Sequence, residues 1–332
     1  MQKLMNDPKN YVDEVLDGLI AANPSLRRSP RSSRAIVRSQ GMAPGRVGVV
    51  TGGGSGHLPL FTGYVGAGLL DACAVGNVFE GPTVDSCMAS IKAADGGKGV
   101  LCLFGNYGGD KMNFGMACEM AELDEIETAT VLGTDDIASA RPDEVEKRRG
   151  VAGIVYAYKA AGARAAEGGS LADVAAAAKN AVSRTRTIGV ALASCQIPGA
   201  DRPTFELPAG ELDFGMGIHG EPGIWRGKIK SADLLADEML DRLLAEAPAD
   251  ASGKVSVLIN SLGATPLEEP FILYRHVHAR LAKEGLIIVF PMVGAYVTSM
   301  EMAGASISIS HLDPELERLY AAPAECPFWR VG

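Results

Sequence analysis

Three glycine-rich stretches each carry a residue able to attack a carbon or move a proton. TGGGSGH (51–57) ends on His57, GNYGGD (105–110) ends on Asp110, and GIHGEPG (217–223) centres on His219. A neutral imidazole is a nucleophile or a base, and a carboxylate accepts a proton from an alcohol. Glycine lets backbone N–H groups come close to a ligand and tolerates positive φ. Known loop patterns do not account for the first stretch. Its glycines break the GxGxxG spacing, it lacks the Lys-Ser/Thr pair of a nucleotide-phosphate loop, and GxSxG would need glycine at position 57. One such loop reads equally well as a tight turn. Three, each with one reactive group, argue for a ligand site. The remaining histidines fit surface or core roles: His276 and His278 lie in a helical stretch and His311 follows a strand.

The elements that must hold these loops can be read from the pattern. RVGVVT (46–51) is a short buried strand running into the first loop, GVLCLF (99–104) a second running into the next, and TATVLG (128–133) a third. VDSCMASIKAA (84–94) and KMNFGMACEMAE (111–122) read as the intervening helices, and 60–70 as a small-residue stretch packing on the sheet. A helix over 10–22 follows the start signal Asp7-Pro8. This is the alternation of a parallel sheet covered by helices, which binds ligands at the carboxyl ends of its strands. Two Ala-rich helices follow (148–169 and 170–187), the second opened by a Ser170/Asp173 capping box. Strands at 188–194, 212–218, 254–260, 286–291 and 306–310 come next, with helices near 231–246 and 266–284. The expected fold is α/β in two domains, each a central β-sheet flanked by helices. Residues 1–184 carry the first two loops and residues 185–332 carry the His219 loop.

The 332 residues suit two domains at roughly 150 residues each. With 47% hydrophobic and 21% charged residues the chain can bury a large core. A formal net charge of -9, with no basic run longer than KRRG (147–150), argues against nucleic acid. The six cysteines form no CxxC and no zinc-like spacing, so they read as reduced thiols of a cytoplasmic protein. Acidic residues stand where a signal peptide would be apolar, and no apolar run nears the roughly 18 residues of a membrane span.

Taken together, GGGSGH, NYGGDKMNF and GIHGEPG resemble the K-subunit of dihydroxyacetone kinase. The resemblance covers nearly the whole chain and includes KLMNDPKNYVDEVLDGL, RRGVAG, SLGATPLEE, VGAYVTSMEMAG and AAPAECP. It implies that His219 captures a short ketose as a covalent hemiaminal, that Asp110 accepts the proton of the hydroxyl to be phosphorylated, and that His57 assists. It places Gly53, Gly54, Ser55 and Gly105 against the substrate, so that loops from the first domain and the His219 loop from the second share one active site. It implies a homodimer and no cofactor on this chain, which ends at Gly332 where a K-domain ends. ATP or ADP with Mg²⁺ then belongs to a separate L-type subunit, charged by ATP or by a phosphotransferase relay. Two positions depart from the family pattern: Leu58 replaces a glutamate and Gly105 replaces a lysine that reaches dihydroxyacetone. Loss of that cation frees space and points to a longer ketose such as erythrulose. The other reading is a non-catalytic ketose sensor acting on a transcription regulator. Retention of His57, Asp110 and His219 favours the kinase. A lipid-binding module of a related two-domain fold gives no reason for HGEPG.

Overall fold

The computed structural model describes residues 2–332. In chain order its elements are α1 (Tyr11–Ala22), β1 (Leu26–Ser29), β2 (Ser32–Arg38), β3 (Gly48–Ser55), β4 (Ala72–Val78), α2 (Val84–Ala94), β5 (Val100–Gly105), α3 (Gly108–Leu123), β6 (Thr128–Gly133), α4 (Ile154–Ala166), α5 (Leu171–Ser183), β7 (Thr185–Ala191), β8 (Glu211–Phe214), β9 (Trp225–Lys228), α6 (Ala232–Leu244), β10 (Lys254–Ser261), α7 (Glu268–Lys283), β11 (Ile287–Gly294), β12 (Gly304–His311), α8 (Pro314–Ala321), β13 (Ala324–Cys326) and β14 (Trp329–Val331). The α/β class holds, with a helix-flanked sheet in each of two units.

The units are interleaved along the chain. One comprises the chain up to Gly133 with Ala157–Asn180 and Arg318–Gly332; the other comprises Thr134–Tyr156 and Ala181–Glu317. A single division between 184 and 185 differs from this, because the chain passes between units after 133, 156, 180 and 317. Residues 154–163 of α4 are all buried, so no apolar stripe says which sheet the helix serves. What decides it is long-range. Lys159 of α4 is fully buried and its Nζ donates to the Leu319 carbonyl of α8 at 2.6 Å, with burial lowering its pKa to about 8.

The first unit holds a six-stranded sheet in the order β1-β2-β4-β3-β5-β6. Strands β4, β3, β5 and β6 run parallel, and the β1–β2 hairpin adds antiparallel to β4. The sheet is therefore mixed rather than wholly parallel. Its core joins Val50, Cys102 and Phe104 of the sheet to Ile91 of α2 and Phe114 and Ala117 of α3. Phe104 and Phe114 stack at 4.4 Å between centroids, which fixes α3 on β5. The Ser170/Asp173 capping box forms as expected: Asp173 N donates to Ser170 Oγ at 3.2 Å and Ser170 N to Asp173 Oδ2 at 3.0 Å.

The second unit holds a six-stranded sheet ordered β11-β10-β12-β7-β8-β9. Only β10 and β11 are parallel; every other pair is antiparallel. Helices α6 and α7 cover a core built from Ile188, Phe214, Leu240, Val257, Val277 and Ile307. Strand β8 stops at Phe214, short of the expected 218, because Gly215 turns left-handed at φ +88°. Strand β9, a short and partly exposed partner of β8, carries no run that the pattern could reveal.

Candidate active site

In the first unit, β3 runs on through its glycines to Ser55, so they form extended strand rather than a turn. Only Gly56 is left-handed, at φ +100°. The glycines at 52–54 are required by close packing. A Cβ on Gly52 would lie 2.8 Å from the Ala74 carbonyl oxygen, on Gly53 2.1 Å from the Phe61 ring, and on Gly54 2.8 Å from the Glu80 nitrogen. Three consecutive glycines thus let the strand pass between β4, Phe61 and one loop, and Gly56 supplies the turn after it.

The segment Gly76–Gly81, the last residues of β4 and the start of the loop to α2, organises the groups named from the sequence in this unit. Ser55 Oγ donates to the Gly76 carbonyl at 2.9 Å, and Phe79 N donates to the Ser55 carbonyl at 3.0 Å. The Phe79 ring stacks on His57 at 4.9 Å and 22°, while Phe61 meets His57 edge-on at 6.2 Å. Phe79 holds φ at +61°, a strained value for a bulky residue. His57 is fully buried and held flat between these contacts. Asp110 lies in the first turn of α3, where free backbone N–H groups favour an anion, and is 6% exposed. A Cβ on Gly81 would come 2.9 Å from Asp110 Oδ1, so the loop needs glycine there to admit the carboxylate. Asn113 Nδ2 donates to the Pro82 carbonyl at 2.7 Å and ties α3 to the same loop. His57, Gly54, Ser55 and Asp110 therefore gather around one segment. Gly53 turns its Cβ direction to Phe61, and Gly105 closes β5 opposite Gly133 of β6. The loop itself was not legible as part of the site. Its signal is the glycine pair flanking NVFE, which reads as an ordinary turn.

In the second unit, GIHGEPG connects β8 to β9. Phe214 and Trp225 stack at 5.2 Å across the base of this connection. Gly220 is left-handed at φ +85°, and Gly217 N donates to the Glu221 carbonyl at 3.0 Å. Glu221 folds back on His219: Oε1 lies 2.9 Å from Nδ1 and Oε2 accepts from the His219 backbone N–H at 2.9 Å. Arg149 stands behind with Nη1 3.7 Å from Glu221 Oε2, and Asp136 Oδ2 holds Arg149 Nε at 2.9 Å. Burial opposes ionisation of Glu221, but the hydrogen bond from His219 and the positive charge of Arg149 prevail and lower its pKa to about 2. Burial pushes Asp136 up to about 6 despite the facing guanidinium. Gly217 makes the arrangement possible, because a Cβ there would sit 2.3 Å from Glu221 Oε2 and 2.5 Å from Arg149 Nη1. An ionised Glu221 accepts the Nδ1 proton, which leaves the lone pair on Nε2. Sequence reasoning named His219 but neither Glu221, which binds it, nor Arg149, which stands behind Glu221. A carboxylate two residues beyond the histidine was the available signal.

The model of the Dak1 domain matches residues 17–328. The chain belongs to the Dak1 family. It is 45% identical to the dihydroxyacetone-binding subunit of PTS-dependent dihydroxyacetone kinase 2 from Listeria innocua, over the full length of both. It is 42% identical to the D-erythrulose kinase of Mycolicibacterium smegmatis and 43% identical to the L-erythrulose kinase of Pectobacterium atrosepticum, in each case spanning 57% of the relative. The dihydroxyacetone kinase of C. freundii superposes with a TM-score of 0.90 at 33% identity, over 99% of this chain and 60% of that one. The operon co-activator DhaQ superposes at 0.88 and 31% identity, over 96% and 98%. The chain thus spans the whole of the binding subunit and a little over half the length of the longer kinases. Among the described residues no helix is long and apolar enough to cross a membrane, and no group of three His, Cys, Asp or Glu side chains could hold a metal ion.

Proposed function

We propose that this chain is the ketose-binding subunit of a dihydroxyacetone-type kinase and holds its substrate covalently on His219. The observation that carries this reading is the 2.9 Å contact between His219 Nδ1 and Glu221 Oε1. The Nε2 lone pair attacks the ketone carbon, a C–N bond forms, and the carbonyl π pair moves onto oxygen, which takes up a proton. The positive charge that develops on the ring lies against the Glu221 carboxylate, and loss of the Nδ1 proton leaves a neutral hemiaminal. A ketone is required, so polyols are not held. Asp110 takes the proton of a terminal hydroxyl as phosphoryl transfer proceeds, with His57 as a hydrogen-bonding assistant. Gly53, Gly54, Ser55 and Gly105 face the sugar. The nucleotide and its Mg²⁺ belong to an L-type partner subunit, this chain acts as a homodimer in the cytoplasm, and the absence of lysine at Gly105 favours erythrulose.

The test is capture. The chain is incubated separately with dihydroxyacetone, D-erythrulose and L-erythrulose, and crystals are examined for continuous density from His219 Nε2 to a substrate carbon. Density with at least one ketose, lost in His219→Ala, is the expected result. No adduct with any ketose overturns the reading. The likeness to DhaQ supports a second reading, a ketose sensor. In that case capture persists but no phosphorylated product forms with any L-type partner.

A further inference from the structure

A pair of thiols on β5 and α3 has no part in ketose chemistry. Cys102 of β5 is fully buried; Cys118 faces it from α3 and is partly exposed. Their Sγ atoms lie 3.7 Å apart in an S–H···S contact. A disulfide needs about 2.05 Å, so bond formation calls for a closing movement of under about 2 Å between side chains that already point at each other. The surroundings of the two sulfurs differ. Cys102 belongs to the same core as Val100, Phe104 and Phe114, and its hydrogen bond with Cys118 together with burial raises its pKa. The Cys118 sulfur faces the Cys102 thiol and the hydroxyls of Thr128 and Thr130 on β6. The hydrogen bond with Cys102 leads in lowering its pKa to about 6, burial opposes it, the two threonines add to it, and Glu122 opposes it weakly. Cys326, the other partly exposed thiol, is shifted upward by burial instead. One partly exposed thiol with a lowered pKa therefore has a buried partner thiol within reach.

We propose that Cys118 is a peroxide-reactive thiol whose sulfenic acid is resolved by Cys102 into a disulfide joining α3 to β5. In the first step the Cys118 thiolate attacks one oxygen of a hydroperoxide. The O–O bond breaks, the other oxygen leaves and takes up a proton as water or alcohol, and the sulfur is oxidised by two electrons to Cys118–SOH. In the second step Cys102 gives up its proton and attacks the Cys118 sulfur. The S–O bond breaks, the hydroxide leaves as water, and the S–S bond forms. Two thiols and one hydroperoxide thus give one disulfide, one alcohol or water, and one further water. Asp110 stands on the same helix, two turns towards its N-terminus, so the cross-link forms on the element that presents that carboxylate.

The test reads thiols rather than turnover, and its result is independent of whether the chain captures a ketose. The full chain is treated with a few equivalents of hydrogen peroxide, alkylated and mapped by mass spectrometry. The expected product has lost about 2 Da, carries a peptide pair linking Cys102 to Cys118, and is restored by dithiothreitol. Cys102→Ser is expected to leave a Cys118 sulfenic acid trapped by dimedone, and Cys118→Ser to form no such link while Cys326 stays reduced. Oxidation of Cys326 at a rate equal to or above that of Cys118, or a disulfide between any other pair, overturns the proposal. The wild-type map decides the matter even if a variant folds poorly.

Discussion

Glu221 binds His219 twice, through Oε1 to the ring Nδ1 and through Oε2 to the backbone N–H, each at 2.9 Å. A side chain so held can neither rotate nor protonate easily, and it favours the histidine tautomer whose lone pair is on Nε2. Glu221→Gln keeps the shape and removes the charge. Loss of a charge-assisted hydrogen bond is worth about 1.5–3 kcal/mol, so ketose capture by this variant is expected to weaken roughly 10- to 100-fold. Titrating the adduct by intact mass against ketose concentration checks it; unchanged capture removes Glu221 from the chemistry. The Glu221 pKa is lowered from 4.5 to about 2, so this contribution to stability is present above pH 4.5 and is lost as pH falls towards 2.

Gly54→Ala tests why β3 is glycine-rich. A Cβ there would press on the backbone nitrogen of Glu80 at 2.8 Å, and backbone cannot yield as a flexible side chain can. Overpacking of this kind costs about 1–3 kcal/mol. Urea unfolding of the variant should show that loss. A variant as stable as the parent would return the glycine to a role in ligand approach alone.

His311 closes β12 with a ring that is 1% exposed and with neither nitrogen hydrogen-bonded. Burial, reinforced by Arg186 and Arg184, lowers its pKa from 6.5 to about 4. The unfolded chain therefore binds a proton that the folded chain refuses. The contribution is complete above pH 6.5 and is lost as pH falls through 4, roughly 3 kcal/mol in all. Stability measured by denaturant between these values should slope downwards on acidification, and the slope should flatten in His311→Asn.

Arg148 is fully buried and clamps Glu246 through Nη1 at 2.6 Å and Nη2 at 2.8 Å. Removing one member of such a pair strands the other. Arg148→Ala is expected to cost about 3 kcal/mol or more, although Arg186 Nε at 3.2 Å retains part of the Glu246 charge compensation. Replacing both partners with apolar residues should recover much of the loss, which a double-mutant cycle measures.

Gly105 stands at the end of β5 where the family pattern has lysine. Its φ is not left-handed, so the backbone conformation there does not require glycine. The parent chain is expected to capture an erythrulose enantiomer at least about as well as dihydroxyacetone, and Gly105→Lys to shift the ratio towards dihydroxyacetone by roughly tenfold, the worth of one hydrogen bond to a charged group. An unshifted ratio means that position 105 does not read substrate length.

What the sequence by itself determined is local. The reach of α1, α2, α6 and α7 followed from helical periodicity, and β5, β6 and β10 from short apolar runs, because a buried face repeats along the chain that makes it. His57, Asp110 and His219 stood out because three separate glycine-rich loops each carry one group able to move a proton, and the same three loops carried the family. Partner choice was decided only by the tertiary structure. Strands β1 and β2 are rich in Arg and Ser, and only their pairing beside β4 makes them strands. The interleaving of the two units depends on contacts such as Lys159 to Leu319, 160 residues apart, which no local pattern encodes. The glycines of β3 suggested a ligand cradle and answer first to Ala74, Phe61 and Glu80 pressing on the strand. Arg149 behind Glu221, and Phe79 against His57, join residues far apart in the chain by burial and close approach. Those distances exist only after folding, which is why the histidines could be named in advance and the groups that hold them could not.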